Sequence, residues 1–328
     1  MKKLSFVLIL LALSQGIHSQ IIEKVIDSAR IEKLDEVLVK AIRVEASSPI
    51  THSNVSKAEL ATRNLGQDLP ILLNYLPSVV TTSDAGAGIG YTGIRVRGVS
   101  AQSTNITING IPYNDAESLG TFWVDLPDFA SSVESLQLQR GVGTSTNGSG
   151  AFGASINILT DAISKDSQAE ISNTFGSYNT LKHNLKFSTG LLGSNIEISG
   201  RLSQIKSDGY IDRAASDLKS YFLQGAYTDD NTLIKMLVFG GHEITYQAWN
   251  GIDAETLKNN RTFNPSGTYI DDDGTINFHE NEVDNYKQDH YQLHWNQKIN
   301  NYWSARIGLN YTYGRGYFEQ YKENQSFS

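Results

Sequence analysis

Hydrophobic and polar positions follow two rhythms along this chain. Beyond residue 165 the rhythm is period two. Over 195–203, Ile196, Ile198 and Leu202 share one face, and Asn195, Glu197, Ser199, Arg201 and Ser203 share the other. Over 303–313 the odd positions hold Trp303, Ala305, Ile307, Leu309, Tyr311 and Tyr313, and the even ones Ser304, Arg306, Gly308, Asn310 and Thr312. Looser alternation marks 181–191, 221–227 and 291–295, whereas 232–243 is ambiguous because 233–239 is apolar on both faces. Such alternation predicts half-buried strands. Before residue 165 the elements are shorter and mixed. Residues 54–82 read as helical, opened by the capping-box spacing of Ser56 and Glu59. A second short helix is expected over 68–77, with Pro70 near its start and Pro77 ending it. A glycine-rich loop follows over 83–93. Short strands between glycine turns fill 94–160, with a longer excursion over 113–126 and one helical turn over 128–132. The expectation is an α+β domain followed by long antiparallel strands.

Period-two strands suit a soluble sandwich or an outer-membrane barrel, and three features favour the barrel. The strands are about 10–13 residues long, against about 5–6 in soluble sheets. Aromatic residues (Tyr221, Tyr227, Trp303, Tyr313) sit near strand ends, as interfacial girdles do. Connections alternate in length: short turns are placed at 192–194, 229–231 and 299–301, and longer loops at 207–217 and 244–285. About seven strands fit into 164–328, fewer than a bacterial barrel needs, so the barrel is expected to be incomplete, with the chain ending in a loop.

Composition sharpens this. Sixteen Tyr and 28 Gly against 6 Pro suit strands and turns, and no run of 18 apolar residues exists. There are no cysteines, which excludes disulfides and thiolate metal sites. Lys2 and Lys3 precede an apolar stretch over 4–13, and Ser19 lies before a plausible cut, so 1–19 read as a secretory signal. A net charge of −8 without a basic stripe argues against nucleic-acid partners. Residues 20–48 form a polar tail with one apolar pulse around 34–39. That pulse suits either strand addition to a partner's sheet or the first strand of the domain behind it.

Candidate chemistry is sparse. The glycine string 88–93 has the G-x-G-x-x-G form, but it lacks the strand-to-helix context of a nucleotide site. It reads as a loop apex that approaches a ligand or as a plain turn. Asp271, Asp273 and Glu280 nearly match a calcium loop, yet Tyr269 occupies the first ligand position. An acidic turn is the alternative. His290 and His294 share a strand face and suit a polar lumen lining or a metal or haem contact. Tyr91 in the glycine string, Tyr113, Asn114, Phe122 and Trp123 in the excursion, and Tyr246 and Trp249 in the long loop suit ligand binding at a mouth. Girdle or packing roles are the alternative. No nucleophile–base set can be argued, and no cofactor is implied.

Taken together, the runs 94–99, 108–112, 133–141 and 148–158 resemble, in order and spacing, the plug of TonB-dependent outer-membrane receptors of the Bacteroidetes type. The segment 68–79 is similar to the plug's first helical part, and 207–210 to a motif of the first large external loop. Asp35, Glu36, Val37, Leu38, Val39, Lys40 and Ala41 resemble the family's TonB box. Two departures are visible: Val142 stands where the family usually has proline, and 143–147 differ from the usual stretch. The resemblance implies a signal at 1–19, a periplasmic tail at 20–48, a plug over 49–163 and the first strands of a 22-stranded barrel from 164. It implies TonB as partner, outer-membrane lipid around the barrel, and uptake of a scarce large nutrient driven by the proton-motive force. An iron chelate is the expected cargo; cobalamin, haem and oligosaccharide stay open, as does a passive porin or adhesin. It also implies that Arg97 and Arg140, with Glu134, latch the plug to acids of the barrel.

Overall fold

The computed structural model describes residues 43–45, 47–143 and 152–322; the signal and residues 34–41 lie outside them. The first domain opens with strand β1 (His52–Ser56) and helix α1 (Lys57–Arg63), joined by a complete capping box between Ser56 and Glu59. Helix α2 (Leu69–Leu72) is a single turn with Pro70 in its first turn. Strands β2 (Val79–Ser83) and β3 (Thr92–Val96) form a hairpin around the glycine loop. The helical expectation for 54–82 thus holds only in its middle. Its two ends are strands because each finds a partner: β2 pairs with β3, and His52 of β1 pairs with Gln139 far along the chain.

The remaining strands of this domain are β4 (Thr104–Ile108), β5 (Ile111–Pro112), β6 (Val133–Arg140) and β7 (Ala154–Thr160). Together with β1 they form a five-stranded sheet in the order β1-β6-β7-β4-β5, antiparallel except for β4 beside β7. Ile106, Ile108, Leu136, Leu138, Ile156 and Ile158 make its sealed core.

The second unit is a seven-stranded antiparallel sheet. Its strands are β8 (Gln168–Gly176), β9 (Thr180–Ser188), β10 (Ile196–Ser207), β11 (Ser216–Thr228), β12 (Thr232–Tyr246), β15 (Val283–Lys298) and β16 (Ser304–Phe318). Helix α3 (Ala254–Asn259) and the small hairpin β13 (Thr268–Ile270) and β14 (Ile276–Phe278) lie in the loop between β12 and β15. The sheet is open, with β8 and β16 at its edges.

Its polarity is inverted relative to a soluble sheet. On β10 the polar Glu197, Ser199, Arg201 and Ser203 are buried, whereas Ile196, Ile198 and Leu202 are exposed. The first domain sits on the polar face, and the apolar face is left bare. The ambiguous strand β12 now has a physical reason for being apolar on both sides. Outward Met236 is 60% exposed, whereas inward Leu237 and Phe239 join the core of the first domain. Phe239 lies 5.4 Å from Phe129 and 6.0 Å from Phe222, ring to ring. Gly241 of β12 allows this close approach: a Cβ there would collide with the Asp125 carbonyl and the Pro127 ring.

Candidate functional site

The seam between the two units is built around Asp128. Its backbone is left-handed (φ 53°), a conformation that Asp tolerates better than most residues, and it precedes the 3-10 turn Phe129–Ser132. Asp128 Oδ1 accepts from Lys182 Nζ at 2.6 Å and from Ser131 Oγ at 2.6 Å. Oδ2 accepts from Asn184 Nδ2 at 2.6 Å and from Ser203 Oγ at 2.7 Å, with the Arg201 guanidinium 3.4 Å away. Arg201 Nε donates to Ser132 Oγ at 2.8 Å, and Ser220 Oγ donates to the Pro127 carbonyl at 2.7 Å. The carboxylate and both bases are buried. Burial alone would raise the Asp128 pKa; the Arg201 and Lys182 charges and the hydrogen bonds outweigh it and hold the carboxyl well below its usual range. A second acid, Asp161, pairs with Lys186 of β9 at 2.6 Å and with Lys57 of its own domain at 2.7 Å.

The residues expected to form a latch lie elsewhere. Arg140 Nε donates to the Pro77 carbonyl at 2.9 Å, and its terminal nitrogen donates to Ser53 Oγ at 2.7 Å; both partners are inside the first domain. Arg97 is exposed, and Glu134 pairs with Lys57 at 3.1 Å. Among the described residues the ion pairs across the seam therefore run with acids on the first domain and bases on the strands, opposite to the expectation for Arg97 and Arg140.

Toward the long loops, two adjoining cavities of about 470 and 480 Å³ share Asp115, Phe122, Asp125, Tyr286 and Gln288. Glu117, Glu243 and Asp284 add to the acidic lining of the second. Tyr91 Oη lies 2.5 Å from Asp284 and 3.2 Å from Glu243. One hydroxyl proton cannot serve both acceptors at once. Burial, with the Asp284 and Asp115 charges, pushes Asp125 up to about 7.

The sequence candidates divide on this geometry. Tyr91 and Phe122 line the acidic cavity, and Trp249 packs edge-on to Tyr91 at 5.5 Å. Tyr113 reaches Gln288 at 3.3 Å and lies against His290. Asn114 instead braces its own loop, accepting from Ile106 N and donating to the Thr104 and Leu119 carbonyls. Trp123 is not a mouth residue: it is 3% exposed and belongs to the core, as its place in a 3-10 turn facing the sheet dictates. Tyr246 donates to the His279 carbonyl at 2.7 Å and holds the long loop.

The glycine loop is docked. The Ala85 carbonyl accepts from Tyr210 N at 2.8 Å, and a Cβ on Gly90 (φ 93°) would lie 2.8 Å from Ser216 Oγ. The Asp271 carboxylate accepts from Thr275 N and Asn277 Nδ2, the bonds of a hairpin turn. Among the described residues no cluster of three or more His, Asp or Glu could hold a metal, so Asp271, Asp273 and Glu280 do not converge as a calcium loop. His290 and His294 are buried on the inward face, bonded to Gln288 and Gln292. Sequence reasoning missed Asp125, Asp128, Lys182, Glu243 and Asp284. The only signal was Arg201 and its neighbours on the polar face of an alternating strand.

Comparison with known proteins bears on both units of this arrangement. Residues 44–155 match the family described as TonB-dependent Receptor Plug Domain. The first domain is a TonB-dependent receptor plug. The chain is 32% identical over 180 residues to a vitamin B12 transporter of Vibrio vulnificus, covering 54% of this chain and 28% of that protein. It is 24% identical over 149 residues to a probable TonB-dependent siderophore receptor of Acinetobacter baumannii, covering 42% and 20%. Among solved structures, the ferric-catecholate import receptor Fiu from E. coli superposes with a TM-score of 0.60 at 16% identity, over 82% of this chain and 39% of that one. The plug and the strands that follow thus have the fold of the N-terminal portion of these receptors. The chain spans well under half the length of each of these proteins.

Proposed function

We propose that the chain is the gate and first wall of an energised outer-membrane receptor that imports a scarce, large nutrient. The carrying observation is the seam: the plug fills the inward face of the sheet and is held there by Asp128 between Lys182 and Arg201. A wide barrel leaks unless its lumen is filled, and buried ion pairs fix the filler in one position. Residues 35–41 act as the handle through which TonB pulls, by strand pairing, at the expense of the proton-motive force. Arg97, Arg140 and Glu134 remain the candidate latch toward wall segments that the described strands do not supply. The enclosing solvent is outer-membrane lipid, with the tail and the base of the plug facing the periplasm.

The family resemblance and the cavity support two readings of the cargo. Several relatives are named siderophore receptors, and an iron chelate is the first reading. The second is cobalamin, favoured by the lining of Asp115, Asp125, Glu243 and Asp284 beside Tyr91 and Phe122. Acids and rings receive a neutral or cationic face better than a polyanion. Uptake of labelled iron chelates and of labelled cobalamin, by cells with and without the gene, separates the two. Deleting 36–41 should abolish uptake of whichever is carried; unchanged uptake would leave a passive porin or adhesin.

A further inference from the structure

The outward face of the seven-stranded sheet carries a charge pattern that neither the plug nor the cargo explains. Cross-strand register groups its side chains into rows. One row runs Ile196, Tyr227, Ile234, Trp295 and Ile307, and the next Ile198, Gly225, Met236, Leu293 and Leu309. Two further rows follow toward the long loops; the second runs Leu202, Tyr221, Gly240, Asp289 and Tyr313, apolar or aromatic but for Gly240 and for Asp289, which holds Arg315. Each row lies about 6.8 Å along the strand from the last. The next row is different: His183, Gln204, Lys219, His242, Lys287 and Arg315 stand side by side on successive strands, with no acid among them.

We infer that this row is a binding site for a phosphorylated lipid headgroup in the leaflet on the long-loop side. The inference rests on the outer-membrane reading above. Three observations support it. First, the row begins where the apolar band ends, beside Tyr221 and Tyr313, which is the depth of lipid headgroups. Second, the charge is concentrated here although the whole chain carries −8. Lys219 and Lys287 make no salt bridge among the described residues, although the Lys219 charge is felt by Asp217 in the row beyond, and Arg315 is held by Asp289 at 2.6 Å. Third, a surface hollow of about 690 Å³ crosses the row, with Lys219, His242, Lys287 and Arg315 in its wall and Leu185 and Leu202 at its apolar side. A lipid phosphate on the basic wall would leave its acyl chains along the apolar rows. Lys219 and Lys287 flank His242 two strands apart, roughly 10 Å, which suits a headgroup bearing two phosphates. The turn end of the same face has no such row: Thr232, Gln297 and Ala305 occupy the equivalent positions. The cations are thus confined to one interface.

The test uses the full chain. Fractionation first shows whether it resides in the outer membrane; absence there would overturn the membrane reading and this site with it. Protein purified in detergent is then titrated, by native mass spectrometry, with diphosphorylated lipid A, with the same lipid stripped of phosphate, and with inorganic phosphate. The expected result is retention of the diphosphorylated lipid alone, weakened about tenfold or more by Lys219→Gln with Lys287→Gln and restored by the corresponding arginines. Equal retention of the stripped lipid, or no loss in the double variant, would overturn the lipid site while leaving the membrane reading intact. Equal binding of inorganic phosphate would reduce it to a simple anion site.

Discussion

Lys182 Nζ lies 2.6 Å from Asp128 Oδ1, and both side chains are almost fully withdrawn from water. The pair spans the joint between plug and wall, so removing either charge strands the other. Asp128→Asn should destabilise the docked plug by about 3–5 kcal/mol, and Asp128→Asn with Lys182→Met should recover part of that loss. Denaturant titration in detergent, followed through tryptophan fluorescence, reads this, because Trp123 sits in the shared core. The folded Asp128 pKa is depressed, so its contribution is fully present above the unfolded value of about 3.9 and is lost as acid titration passes well below it. Docking should therefore hold through mildly acidic pH and fail only in strong acid; Asp128→Asn should remove that transition.

Asp125 behaves in the opposite sense. Burial first, then the Asp284 and Asp115 charges, push it up to about 7. Between the unfolded value of about 3.9 and that figure, the folded protein holds a proton that the unfolded chain has released, so stability falls as pH rises through this window. Asp125→Asn should flatten the slope and stabilise the protein above neutrality. An unchanged pH profile in thermal melts would refute the assignment.

The two faces of β12 should respond unequally to truncation. Phe239→Ala opens a hole between three rings and should cost about 3–5 kcal/mol. Met236→Ala, on the bare face and 60% exposed, should change stability little. Equal losses at the two positions, in the same denaturant titration, would contradict the inward and outward assignment.

Gly241 is needed for approach rather than for turning. A methyl there meets the Asp125 carbonyl and the Pro127 ring. Gly241→Ala should push the plug off β12 and cost about 1–3 kcal/mol. Faster cleavage of plug loops under limited proteolysis should accompany the loss.

Much of this architecture was legible in the sequence. Alternation gave the long strands and which residues shared each face, and Ser56 with Glu59 marked the start of α1. What alternation could not reveal was the identity of partners. Asp128 and Lys182 are 54 residues apart, and nothing local in either segment points to the other. The strand ends of 54–82 were missed for the same reason: their pairing is tertiary, whereas capping signals are local. Residues 233–239 looked contradictory because two different solvents flank them, the plug core inside and the bare outer face. Trp123 was misplaced because a ring in a loop excursion is as easily an anchor as a ligand contact.

The seam has one oily end, at Phe129, Phe222 and Phe239, and one ionic end, at Asp128 and Asp161. These ends fail differently under load. Stacked rings lose their contact over a few ångströms and let go all at once, whereas a salt network exchanges its partners for water one by one and gives way gradually. Water can therefore enter the seam beside β9 and β10 one contact at a time, whereas beside β11 and β12 the rings part together or not at all.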